Sequence, residues 1–186
     1  LEESLIYIRE ALSGNDKGFQ GKYYQLEQFP VEPAALQDIP IIIGGGGKVK
    51  TPTLAGKYSE EFNIYAGPKE ILSNSISLFK EVAVEDGRDV SKLEITTACP
   101  PVVGLTQDRV GESLTAAAKA LSQSEDEIAN TWKEKSYLFG TPDEVAATLS
   151  MWQEVGIEAV YLQLLSLQED NRNETIEVIK QAVELI

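Results

Sequence analysis

The chain has 186 residues, 42% of them apolar and 25% charged, which is enough for one domain with a real core and ordinary for a water-soluble globular fold. Its 16 Lys and Arg against 30 Asp and Glu leave a formal charge of −14, which argues against nucleic acid and anionic membrane surfaces as partners. Histidine is absent and Cys99 is the single cysteine, so a Ser–His–Asp triad, a Cys–His pair, a metal site and an internal disulfide framework are not expected, and a reducing compartment, the cytoplasm, is.

No apolar run is long enough to span a bilayer, and no stretch reads as a signal peptide. Leu1, Leu5, Ile8 and Leu12 are spaced like one face of a helix already under way, and the only methionine is Met151. The expectation is a piece of a longer protein.

In chain order, residues 1–12 read as a helix ended by Ser13-Gly14-Asn15-Asp16. Residues 18–31, with Gly18, Gly21, Tyr23-Tyr24, Leu26 and Phe29, read as a short extended hairpin. Pro33 and Pro40 bracket a loop, so the excursion spans about 18–39. A strand at 40–44 precedes a short helix over 52–58, and Glu61-Phe62-Asn63-Ile64-Tyr65 is the next strand. Gly67-Pro68 opens a helix with apolar Leu72, Ile76, Phe79 and Val82-Ala83 at spacings of three and four, and Gly87 ends it. Residues 93–99 form a strand rich in β-branched residues, stopped by Pro100-Pro101. Helices follow at 107–121 and 124–133. Thr141-Pro142-Asp143-Glu144 is a capping box that starts a helix to Val155, closed by Gly156. A last strand at 157–164 and a last helix at 173–186 complete the chain.

The core order is therefore β-α-β-α-β-α-β-α, which means crossover connections and a parallel sheet. Four βα units make either a small open sheet or half of an eight-stranded barrel. In both, ligands sit at the C-terminal ends of the strands.

At one such end stands Ile41-Ile42-Ile43-Gly44-Gly45-Gly46-Gly47-Lys48-Val49-Lys50-Thr51-Pro52. The isoleucines suit a buried strand. The glycines bare backbone N–H groups to an anion, Thr51 is read as the N-cap of the following helix, and Pro52 as its first residue. Gly45, Gly46, Gly47 and Thr51 thus form a candidate phosphate or carboxylate cradle, with Lys48 and Lys50 beside it. The loop is neither a Walker loop nor a dinucleotide fingerprint. A plain strand-to-helix turn is the competing reading.

Two further stretches join this one in a pattern. Phe19-Gln20-Gly21-Lys22-Tyr23-Tyr24-Gln25-Leu26 followed by Ile39-Pro40-Ile41-Ile42-Ile43 and the glycines, and then Leu54-Ala55-Gly56-Lys57-Tyr58 with Phe62-Asn63, resemble the bacterial luciferase-like monooxygenase superfamily. Gly140-Thr141-Pro142-Asp143-Glu144-Val145 and Gly156-Ile157-Glu158-Ala159-Val160 are similar to its closing capping box and last strand. The glycine version is most similar to members that use the deazaflavin coenzyme F420. The resemblance implies a TIM-type (β/α)8 barrel of which this chain is the C-terminal half, one partial domain over residues 1–186. It implies a flavin or deazaflavin oxidoreductase transferring hydride with coenzyme F420, the cofactor phosphate held by the glycine loop. An FMN-dependent monooxygenase is the alternative, and a non-catalytic phosphate-binding half-barrel the rival from another class. The absent N-terminal half would supply the acid–base residues, leaving no catalytic residue assigned here. Glu61 and Phe62 stand where the family commonly has aspartate and tryptophan, and Pro52 is an addition.

Asn63 and Tyr65, at the next strand end, are the remaining candidates for cofactor contact. Cys99 without a histidine is read as a small buried hydrophobe, Trp132 and Trp152 as core, and Tyr23-Tyr24 as packing residues of the excursion. The pairs Glu2-Glu3, Glu60-Glu61 and Glu125-Asp126 are read as solvated or helix-start charge. Four strands would leave open edges, so association with the missing half or with another copy is expected, with a small molecule as substrate.

Overall fold

The computed structural model describes residues 1–14, 17–28, 35–164 and 169–186. Asn15-Asp16, Phe29 and Pro33, placed by sequence at the end of the first helix and in the excursion, lie outside the described residues.

Helix α1 (Glu2–Leu12) is followed by a two-stranded antiparallel hairpin, β1 (Phe19–Gln20) and β2 (Gln25–Leu26). The hairpin is fastened to α1. Glu3 Oε1 accepts from the N–H groups of Tyr23 and Tyr24, each at 2.7 Å, and the Tyr24 ring packs 5.5 Å from Tyr7. Tyr24 is thus taken up in packing.

The central sheet has four parallel strands in the order β3 (Ile42–Gly45), β4 (Glu61–Tyr65), β5 (Glu94–Cys99) and β8 (Ala159–Leu162). Gly44 pairs with Asn63, Asn63 with Thr96, and Thr96 with Ala159. Strand neighbours in sequence are neighbours in space, as in consecutive staves of a barrel. Helices α2 (Lys50–Tyr58) and α3 (Lys69–Glu85) are the first two crossovers. Helix α6 (Pro142–Val155) precedes β8, and α7 (Glu169–Glu184) follows it.

Between β5 and α6 the chain makes a detour. It comprises β6 (Val102–Val103), α4 (Gln107–Leu121), α5 (Glu125–Glu134) and β7 (Phe139–Gly140), with β6 and β7 paired in parallel. These two-residue strands carry no periodicity that sequence reading could detect. Val102, Ala118, Ile128 and Trp132 form the detour's own small core, and Trp132 Nε1 donates to the Pro100 carbonyl at 2.8 Å. A capping box at Ser124 and Glu127 starts α5, and the expected one at Thr141 and Glu144 starts α6.

The main core lies between the sheet and the helices. Phe62, Ile64, Ile95 and Cys99 project from one face and meet Leu72, Ile76, Phe79 and Trp152. Phe62 and Phe79 stack with ring centroids 5.3 Å apart. The opposite face, carried by Ile42, Glu61, Asn63, Tyr65, Thr96 and Tyr161, is polar and largely open; Ile42 is 54% and Tyr161 49% exposed. A sheet covered on one face and open and polar on the other, with strands in consecutive order, is half of a (β/α)8 barrel seen with its interior uncovered.

Candidate functional site

The glycine loop leaves the C-terminal end of β3 and folds against the first turn of α2. Gly45 has φ +150°, a conformation side-chain-bearing residues rarely adopt. A Cβ on Gly46 would lie 3.0 Å from Tyr65 Cδ2, and one on Gly47 would lie 2.5 Å from Thr51 Oγ1. Thr51 therefore folds back over the loop while the Tyr65 ring flanks it. Gly45, Gly46, Gly47, Thr51 and Tyr65 are brought together at one strand end.

One detail differs from the sequence reading. Helix α2 begins at Lys50, and its N-cap is Val49, which makes no side-chain capping bond. Thr51 and Pro52 occupy the first turn. Proline is tolerated there because the N–H it lacks is one of the four that find no acceptor inside a helix.

The consequence is electrostatic. The backbone N–H groups of Gly46, Gly47, Lys48, Val49, Lys50 and Thr51 donate to no described residue. Six donors without a partner among the described residues thus lie at or just before the positive end of a nine-residue helix. Lys48 and Lys50 are exposed beside them and form no ion pair with a described residue. The arrangement suits an anion with several acceptor oxygens.

Asn63 lies on the same strand and face as Tyr65, level with Gly44. It does not join the cradle. Its Nδ2 donates to Thr96 Oγ1 at 2.8 Å, Thr96 Oγ1 donates to Glu61 Oε1 at 2.5 Å, and Tyr161 OH donates to Glu61 Oε2 at 3.2 Å. The bond from Tyr161 to the Glu61 carboxylate holds the phenol above its ordinary pKa. Glu61 is only 7% exposed.

This corrects the reading of Glu60-Glu61 as a solvated pair. Glu60 is bridged by Arg9 at 2.8 Å and Arg88 at 3.4 Å, at the opposite end of the sheet from the cradle, and also accepts from the Ile41 N–H at 2.7 Å. The apolar alternation of Phe62 and Ile64 carried the missed signal. It puts Glu61, Asn63 and Tyr65 together on the other face.

Cys99 is fully buried, and burial pushes its thiol up to about 11, so it is an inert core residue. Trp132 and Trp152 are buried as well. At the same strand ends as the cradle, Pro100, Val102, Ala117, Trp132 and Gln163 line a small apolar cavity. Arg109 of α4 chelates Glu174 of α7 there, with Nε 2.9 Å from Oε2, and Glu174 also accepts from the Leu105 N–H at 3.2 Å. The detour is thereby tied to the last helix. Among the described residues no cluster of three acidic or thiol side chains could hold a metal, and no helix is long and apolar enough to cross a membrane.

A parallel half-barrel with a glycine loop at its strand ends is the class of protein that the fold defines. Sequence and structure comparisons narrow it. The family profile of luciferase-like monooxygenases matches residues 1–159, and the chain belongs to that family. Among solved structures it is similar to an F420-dependent secondary alcohol dehydrogenase in complex with an F420–acetone adduct, with 24% identity and a TM-score of 0.76 over 97% of this chain and 60% of that one. A monooxygenase from Streptomyces bottropensis matches at 16% identity and a TM-score of 0.78, over 99% of this chain and 60% of that one. The coenzyme F420-dependent tetrahydromethanopterin reductase from Methanopyrus kandleri matches at 17% and 0.69, over 95% and 59%. At these identities the likeness establishes the fold. The chain spans about 60% of the length of these structures. A comparison with curated protein sequences finds no significant match.

Proposed function

We propose that the chain is the C-terminal half of a cytoplasmic, deazaflavin-dependent oxidoreductase, and that its cradle holds the phosphate of coenzyme F420. The observation that carries this reading is the run of six N–H groups from Gly46 to Thr51 that donate to no described residue, beside two exposed lysines that pair with no described residue. Those of Val49, Lys50 and Thr51 are left unused by any helix start, and the loop residues Gly46, Gly47 and Lys48 add three more beside them. The likeness to F420-dependent enzymes supports the cofactor choice.

When bound, the cofactor supplies the redox chemistry, and the protein binds and orients it. In this arrangement Gly45, Gly46 and Gly47 let the phosphate approach the backbone. Thr51 Oγ1 offers a further donor, and Tyr65 provides a flat wall between the cradle and the open face. Asn63, bonded to Thr96, stands outside the cradle. No side chain of this chain is assigned to proton transfer, so turnover of a small-molecule substrate requires the half of the barrel that would cover the open face.

Titration of the protein with coenzyme F420 and with FMN, followed by cofactor fluorescence, tests the reading. Binding of F420 that inorganic phosphate displaces supports it. Binding of FMN alone, in line with the likeness to a monooxygenase, moves the assignment to an FMN-dependent enzyme of the same family. Phosphate binding without either cofactor leaves a non-catalytic binding module.

A further inference from the structure

The small cavity under α4 has a buried floor and an open rim. Val102, Ser113 and Trp132 are buried at the floor, and Leu121 and Gln163 are exposed at the rim. The space exists because Ser113, Ala116, Ala117 and Ala120, spaced by three and four along one face of α4, reach little beyond Cβ. Its volume is about 70 Å³, several times the roughly 10–15 Å³ that one water needs. No Lys, Arg, Asp or Glu of the described residues lines it.

Ser113 is the polar group of the floor. It is only 9% exposed, and its hydroxyl bonds to no described residue. Hydroxyls elsewhere on the helices settle the same problem internally. Ser59 and Thr115 each donate to the carbonyl four residues earlier, at 3.0 and 3.1 Å. Nor is Ser113 Oγ sealed in. Among the described residues, Trp152 Nε1 is the only side-chain nitrogen or oxygen that is both closed off and without a partner. A buried hydroxyl facing an apolar cavity without a partner is costly unless something brings one. Trp132 does not, since its Nε1 is committed to the Pro100 carbonyl at 2.8 Å.

The cavity also stands where a reacting molecule would be met. Pro100 and Gln163 line it two residues beyond Ala98 and Tyr161, which pair in register on the open face. The cradle closes the end of β3, two strands from β5, which places it about 10 Å away across the sheet.

We propose that this cavity is a substrate subsite, taking a short uncharged aliphatic group whose single alcohol or carbonyl oxygen bonds to Ser113 Oγ. The inference rests on the oxidoreductase reading above. A serine hydroxyl both donates and accepts, so it serves an alcohol or a carbonyl equally well. The ring of Trp132 and the side chains of Val102 and Leu121 contact the aliphatic part. A carboxylate is excluded because it would leave water with no cation in the lining to meet it. Anions belong to the cradle and neutral carbon to the cavity.

The test uses butanone, butanol and butyrate, three probes with the same number of carbons. Each is titrated into the isotopically labelled chain while the amide signals of Ser113 and Ala117 and the indole signal of Trp132 are followed by NMR. The expected result is saturable shifts with butanone and butanol, each binding about tenfold more tightly than butyrate. Ser113→Ala should weaken both by about fivefold, the loss of one hydrogen bond. Ala117→Leu should fill the cavity and abolish both, and Ser113→Ala decides the matter if the leucine variant does not fold. No saturable shift, butyrate binding as tightly as the neutral probes, or Ser113→Ala binding like wild type overturns the proposal. A wild-type protein that binds F420 or FMN and neither neutral probe refutes this inference alone. One that binds the neutral probes at Ser113 and neither cofactor refutes the proposed function alone.

Discussion

Phe62 and Asn63 are neighbours in β4, yet the sheet sends them into opposite surroundings. Phe62 is fully buried against Phe79 under the helices, while Asn63 faces the open side and bonds to Thr96. The same division runs along the whole sheet. The helix-covered face carries Ile43, Ile64, Ile95 and Cys99; the open face carries Glu61, Tyr65, Thr96 and Tyr161. The first face carries the main core. On the second, hydrogen bonds fix the polar groups of Asn63, Thr96, Glu61 and Tyr161. Packing and polar hydrogen bonding are thus assigned to alternate residues of the same strands, and on the proposed function substitutions should separate stability from binding.

The largest effect is expected on the covered face. Phe62→Ala removes a ring from a packed pair and should cost about 3–5 kcal/mol in denaturant-induced unfolding. Gly56→Ala acts on the same side. A Cβ there would lie 2.6 Å from the Phe79 carbonyl oxygen, so α2 and α3 must move apart, at a cost of about 1–3 kcal/mol. Neither variant should change cofactor affinity when measured well below its melting temperature. A binding loss in Gly56→Ala as large as its stability loss would show that the two faces are not independent.

At the strand ends the balance reverses. Gly46→Val places side-chain atoms against Tyr65, whose ring is 65% exposed and can swing away, so the fold should lose under about 1 kcal/mol. The same atoms enter the space an anion would take, and F420 affinity should fall by roughly a hundredfold, or about 2.8 kcal/mol. Equal losses of stability and binding would mean that the loop is only a turn.

How far the sequence disclosed all this follows from the range of the interactions involved. The four core strands and their helices were legible because their patterns are local: β-branched runs, threes and fours of apolar spacing, the Thr141–Glu144 box. The glycine loop was legible for the same reason, although the first turn of α2 starts earlier than the threonine suggested. Strands β6 and β7 were not, since two residues have no period and their pairing joins Val102 to Phe139 across two helices. Glu61 was misjudged because its burial depends on Thr96 and Tyr161, which are 35 and 100 residues away. Networks on a sheet face are assembled by register, and register is a property of the fold.

The smallest expected effect belongs to the end of the sheet opposite the cradle, where charge supports the fold. Burial raises the Glu60 carboxyl, but the Ile41 N–H and the guanidinium groups of Arg9 and Arg88 outweigh it, so its pKa in the folded protein lies below its ordinary 4.5. A carboxyl depressed by folding stabilises most fully above its unfolded pKa, and the contribution disappears as pH falls through the folded value. Unfolding free energy should therefore decline as the pH is lowered below about 4.5, and Glu60→Gln should flatten part of that decline while leaving binding at the cradle intact. Because the Glu60 side chain is 37% exposed and Arg9 41%, solvent screening holds the difference at neutral pH to under about 1 kcal/mol. Denaturation curves at pH 7 and pH 4 for both proteins measure it. A Gln variant whose stability falls with acid as steeply as the wild type would place the responsible carboxylate elsewhere, and Glu174, held low by its bond to Arg109, is the next to test.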